Sequence, residues 1–221
     1  DDDGNTADAA VGLDARADAT PDAALDAALD AAPDAAAPDA APNDAASPDA
    51  SADASVPPAT LRVLFIGNSY TAGNQLATLV ATVAQSAGAT ELQTQAITPG
   101  GARLQDHYAT PSTLTTIQTG GWDVVVLQGQ SYEALIDPAG FHAGAANLAA
   151  EIVAAGAVPM WFETWARAPG HALYSETWSG GSPAAMQAGL RSAYGQAATD
   201  NGGVVAPVGD AWEVSLANTP S

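Results

Sequence analysis

Residues 61–73 read LRVLFIGNSYTAG, a near-continuous apolar run that ends abruptly in Gly67-Asn68-Ser69. Such a run, lacking the polar alternation of a half-exposed strand, suits a central parallel strand covered on both faces. Parallel strands need long crossover connections, so the chain must supply helices between them. Gly67 allows a tight turn out of the strand and sets Ser69 where the following helix begins. The carboxyl edge of a parallel sheet is where α/β proteins keep their ligands. A hydroxyl there lies near unpaired helix N–H groups and the positive end of a helix dipole, which favour a developing oxyanion. The same position also suits a serine that merely caps the helix.

The rest of the chain fits that reading. Strand-like runs at 62–67, 92–97, 124–128, 157–162 and 204–208 alternate with helix-like segments at about 75–87, 113–118, 139–155 and 183–201. Gly88 and Gly156 follow apolar-periodic runs, as C-cap glycines do. Ser182 before Pro183 is the cap-then-proline signature of a helix start. The alternation predicts a parallel sheet with helices on both faces. Residues 1–58 differ in kind, being built from Asp-Ala-Ala and Pro-Asp-Ala units without aromatics. They cannot bury enough surface to offset ordering and are expected to form a disordered, extended linker. The folded domain is expected over 59–221.

Composition narrows the function. The formal net charge of −20 argues against nucleic acid as a partner, since phosphate binding needs lysine and arginine clusters. There is no cysteine, which removes disulfides and thiolate metal sites. No apolar run is long enough for a membrane span. The acidic opening Asp1-Asp2-Asp3 suggests a processed terminus. His107, His142 and His171 show no metal-ligand spacing, so no metal is expected.

Three stretches, in order, resemble the SGNH (GDSL-like) hydrolases. LRVLFIGNS resembles block I, with GNS in place of GDS. ITPGGARL at 97–104 resembles block II, Gly101 matching better than its neighbour Gly100. WDVVVLQGQS at 122–131 resembles block III, with Gln128 or Gln130 where an asparagine is usual. The resemblance runs from residue 61 to the end. It implies a three-layer α/β/α flavodoxin-like sandwich with a parallel five-stranded sheet in the order 2-1-3-4-5. It further implies Ser69 as nucleophile, with an oxyanion site made by the Ser69 and Gly101 backbone N–H groups and a glutamine amide. Gln128 is favoured slightly because it ends the strand. The implied activity is carboxylic ester hydrolysis. The glutamine variant is similar to branches that include acetyl esterases acting on carbohydrates. A monomer acting on a small-molecule or carbohydrate ester, without a cofactor, is expected.

The acidic linker resembles spacers of bacterial surface proteins, which implies an extracellular or cell-surface, lipoprotein-tethered location. The family's C-terminal Asp-x-x-His does not occur before Ser221. The expectation is therefore a fragment lacking that block and its last helix, or a degenerate member serving as a glycan-binding module. His107, just past block II, and His171 are the candidate substitute bases, with His142 less favoured. FETWARAPGHALYSETWSGGSP at 162–183 would overhang Ser69. Trp165, Trp178, Tyr174, Arg167 and His171 there could meet a sugar or acyl group, or could simply pin a long loop. Asn68 and Gln130 join them as candidate substrate contacts. Asp210 either orients a site residue or caps a short helix.

Overall fold

The computed structural model describes residues 60–218, so the linker expected over 1–58 lies outside the described residues. Strand β1 (Thr60–Ile66) leads into α1 (Ser69–Ala72) and α2 (Leu76–Ser86). Then follow β2 (Glu91–Ile97), α3 (Leu104–Tyr108), α4 (Pro111–Thr119) and β3 (Val124–Leu127). Helices α5 (Glu133–Ile136) and α6 (Pro138–Ala154) precede β4 (Val158–Phe162). A long loop reaches α7 (Pro183–Asn201), and β5 (Val204–Ala206) and α8 (Val208–Asn218) follow.

The five strands form one parallel sheet in the order β2-β1-β3-β4-β5. The continuous apolar runs of the central strands divide by alternation between two cores. Leu64, Ile66, Val125, Leu127 and Trp161 pack with Leu104, Ile117, Leu148, Leu190 and Tyr194 of α3, α4, α6 and α7. Val63, Phe65, Val126 and Phe162 face the other way, against Ala77 and Leu76 of α2 and Val208 of α8. The three-layer α/β/α sandwich and its strand order thus stand as the residue pattern and the resemblance implied.

Helix ends form by the expected chemistry. Gly88 and Gly156 adopt φ of 67° and 83°, and the amides that follow them bond back to Ala84 and Ile152 as in a Schellman close. Ser182 Oγ accepts from Ala185 N–H at 3.2 Å with Pro183 in the first turn. Strand β5 is shorter than expected, stopping at Ala206 because Pro207 has no N–H to extend the ladder. Among the described residues no helix is long and apolar enough to cross a membrane.

For the site, register matters most. Ile66 pairs with both Ile97 and Leu127, so three neighbouring strands end level. Gly67 N–H continues the ladder to the Ile97 carbonyl, and Gln128 N–H to the Ile66 carbonyl. Residues 67–69, the block II loop and residues 128–130 therefore share one edge.

Candidate active site

Gly67 is glycine for space rather than for an unusual φ. A Cβ there would come within 2.5 Å of both Gln128 Oε1 and Thr71 Oγ1. The turn expected of this glycine is thus a close approach, and the partners filling that room form the floor of the site.

Asn68 is 2% exposed and bonds in four directions. Its backbone N–H donates to Gln128 Oε1 at 3.1 Å and its Nδ2 to the Ala102 carbonyl at 3.2 Å. Its Oδ1 accepts from Tyr70 N–H and from Gln128 Nε2, each at 3.1 Å. Only an amide both donates and accepts in this way, which gives GNS a physical reason where GDS is usual. Gln128 is fully buried, and its Oε1 also accepts from Thr71 Oγ1 at 2.7 Å. Its Nε2 donates to Asn68 Oδ1 and to the Gly129 carbonyl, so both amide hydrogens are committed. Gln128 therefore presents no unspent side-chain donor to a ligand.

Ser69 stands above this floor, exposed, as the first residue of α1. Asn68 caps the Tyr70 N–H, while among the described residues neither the N–H nor the Oγ of Ser69 has a partner. Gly101 adopts φ 71° in a turn closed by Ala102 N–H to the Pro99 carbonyl. The bond from Asn68 to Ala102 ties that turn to the serine's strand end. Gln130 is half-buried, and its Nε2 makes only a long 3.5 Å contact with Ser131 Oγ. Ser69, Gly101 and Gln130 are the expected residues that combine a place on this edge with uncommitted donors.

The histidines do not reach Ser69. His107 is 1% exposed, and its Nε2 lies 2.8 Å from the Gly67 carbonyl, to which it donates. Burial holds its pKa below the ordinary histidine value, more than the Gly67 bond and nearby Asp106 raise it. His107 thus fixes the turn that carries Ser69 from beneath. His171 is exposed and caps a short turn, its Nδ1 accepting from Leu173 N–H at 3.3 Å. His142 lies on α6, edge-on to Phe141.

The loop after β4 is stitched by rings to the segments that follow β1 and β3. Trp165 stacks on Tyr70, next to Ser69, with centroids 4.5 Å apart. Trp178 stacks on Tyr132, just past block III, at 4.8 Å. The Arg167 guanidinium lies 5.7 Å from the Tyr70 ring, and Trp212 of α8 tilts against Trp165 at 5.8 Å. These rings pin the loop and at the same time wall the site, since Trp165, Arg167 and Trp178 all remain half-buried.

Below that wall lies a carboxyl cluster. Glu163, 1% exposed, accepts from Gln187 Nε2 at 2.5 Å. Burial, reinforced by the charge of Asp210, pushes its carboxyl up to about 7. Arg191 pairs with Asp210 at 2.5 Å and with Glu213 at 3.0 Å, and holds the Asp210 carboxyl below its usual range. Asp210 therefore links α7 to α8. Among the described residues no three histidine, aspartate or glutamate side chains gather to hold a metal ion.

Sequence reading missed Thr71, Glu133 and Tyr194. Thr71 was legible in GNSYT, one helical turn past Gly67. Tyr194, whose Oη accepts from Gly129 N–H at 3.1 Å across a separation of 65 residues, carried no local signal.

No family model matches the chain, and no curated protein matches it. Solved structures do. A protein assigned as an SGNH hydrolase from Slackia heliotrinireducens is 30% identical, with a TM-score of 0.58 over 70% of this chain and 83% of that one. A DUF4886 family protein from Bacteroides uniformis is 19% identical, with a TM-score of 0.54 over 66% of each chain. An acetyl-xylooligosaccharide esterase from Geobacillus, in a mutant form, is 12% identical, with a TM-score of 0.55 over 72% of this chain and 81% of that one. The last two likenesses concern the fold.

Proposed function

Because the chain belongs to the SGNH hydrolases, we propose that it is a serine esterase cleaving carboxylic esters, with acetyl groups on carbohydrate as its substrate class. The observation that carries this is the state of Ser69: exposed, at the end of the central strand, with Oγ and N–H unspent among the described residues while the Gln128 amide beneath it is fully committed. Ser69 Oγ attacks the ester carbonyl, and the carbonyl oxygen becomes the oxyanion. The backbone N–H groups of Ser69 and Gly101 and the Nε2 of Gln130 meet that charge. The Ser69 proton passes to solvent, the C–O bond to the alcohol breaks with the alcohol taking up a proton from water, and water then hydrolyses the acyl-serine to the acid and restores the serine hydroxyl. Gln130 takes the donor's part because Gln128 has no hydrogen left to give. The half-buried Trp165 and Trp178 and the Arg167 guanidinium offer an apolar and hydroxyl-binding rim suited to a sugar alcohol. The acidic linker supports a bacterial cell-surface setting.

Fluorophosphonate labelling followed by peptide mapping tests the reading. The label should appear on Ser69, and Ser69→Ala should remove both labelling and hydrolysis of p-nitrophenyl acetate. Labelling at another serine, or none at any reagent concentration, would overturn it.

A further inference from the structure

Beside the proposed donor, two buried oxygen atoms lack a hydrogen-bond partner among the described residues: Gln130 Oε1 and Glu133 Oε1. A buried acceptor left so is costly, and a single proton shared between two such oxygens satisfies both. The turn is already tightly drawn. Gln130 N–H donates to Glu133 Oε2 at 2.9 Å, and Glu133 N–H donates to the Gln130 carbonyl at 2.6 Å. Glu133 is fully buried. Its carboxyl also feels the backbone amide of Leu104, the last residue of block II, so one side chain stands close to both loops.

We propose that Glu133 is a positioning residue for Gln130: its carboxyl carries a proton on Oε1, donates it to Gln130 Oε1, and so fixes the Gln130 amide with its Nε2 hydrogens directed at the ester oxygen. One hydrogen bond then satisfies both orphaned acceptors. An amide held by its oxygen cannot turn that oxygen towards the oxyanion, which would repel it. This inference rests on Gln130 serving as the donor for a Ser69 esterase.

The surroundings agree. Burial is the largest influence on Glu133 and holds its carboxyl above the usual range, favouring the protonated form. Asp106 pushes the same way, whereas Arg103 and the Gln130 and Leu104 amides oppose it. Arg103 is partly occupied by Asp137 at the start of α6, 3.5 Å away. From α7 the nearby titratable group is Tyr194, itself raised by burial and so uncharged. The donor form persists below the Glu133 pKa and is lost as pH rises through it.

The test follows the 15N side-chain amide of Gln130 in the whole chain from about pH 4 to pH 9, assigned by its loss in Gln130→Ala. Its shift should track the Glu133 carboxyl 13C signal. Glu133→Gln, which can still donate, should pin it across the range, and Glu133→Ala should move it and speed its exchange with water. With p-nitrophenyl acetate, Glu133→Ala should lower kcat about a hundredfold with KM little changed. Glu133→Gln should retain most of the rate and lose the alkaline fall. A Gln130 signal that ignores Glu133 ionisation, or equal losses in both variants, would overturn the proposal. Where Glu133→Ala does not fold, the wild-type titration and Glu133→Gln decide. If hydrolysis proves independent of Ser69, the esterase reading fails, and the amide spectra still judge the contact between the two side chains.

Discussion

Asn68 and Gln128 face each other through two hydrogen bonds running in opposite directions, Asn68 N–H to Gln128 Oε1 and Gln128 Nε2 to Asn68 Oδ1, both 3.1 Å. The backbone N–H can only donate, which fixes the orientation of the Gln128 amide. Gln128→Glu would set a carboxylate oxygen against Asn68 Oδ1 and the Gly129 carbonyl, with no donor for either. The expected loss is about 1–3 kcal/mol or more, read as a lower urea midpoint at neutral pH. An unchanged midpoint would contradict the knot described here.

Tyr194 reaches from α7 to take the Gly129 N–H at 3.1 Å, holding the peptide between the two block III glutamines. Phenylalanine fills the same space and accepts nothing. Tyr194→Phe should cost about 1–3 kcal/mol, the desolvation penalty of a stranded amide, and hydrogen exchange at Gly129 should rise more than at its neighbours. Stability equal to wild type would mean that water replaces the hydroxyl.

Two buried groups pull the pH dependence of stability in opposite directions. Glu163 titrates at about 7 when folded against 4.5 when free, so its contribution is full below pH 4.5 and is lost as pH rises through 7. His107 titrates below its free value of 6.5, so the unfolded chain takes up its proton first and stability falls as pH drops below 6.5. Glu163→Gln should therefore remove the alkaline decline and unmask the acid one. Denaturant midpoints measured across that span check it, and an unchanged slope in Glu163→Gln would contradict the Glu163 assignment.

Much of this arrangement is legible in the sequence. Continuous apolar runs announce doubly covered strands because both sheet faces need burial, and Gly88, Gly156 and Ser182-Pro183 close or open helices by purely local chemistry. The start of α1 at Ser69 was legible from the glycine turn before it, whereas the short helices α3 and α5 were not, since four or five residues give no periodicity to detect. Nor could position alone say which way Gln128 points. It ends β3 as a donor should, yet its side chain turns down into the room left by Gly67 rather than up to the ligand edge. His107 misled for a similar reason. Its place just past block II is near the site, but burial decides its role, and its bond goes to the Gly67 carbonyl.

The last prediction concerns the proton of Ser69. Among the described residues no side chain accepts a hydrogen bond from Ser69 Oγ, and none of the three histidines contacts it. A serine hydroxyl without a base keeps only the catalysis supplied by the oxyanion donors and by binding, about four to six orders of magnitude below an intact triad. The 221-residue chain should thus hydrolyse p-nitrophenyl acetate feebly. Imidazole, small enough to reach an exposed hydroxyl, should raise the Ser69-dependent rate well above the same addition to Ser69→Ala. The increment should follow the fraction of neutral imidazole as pH is varied, since only that form takes a proton. Vigorous hydrolysis without imidazole, abolished by His107→Ala or His171→Ala, would show instead that one of these rings swings to Ser69 during turnover. The Gly67 bond or the turn cap described here would then be a resting arrangement that substrate displaces.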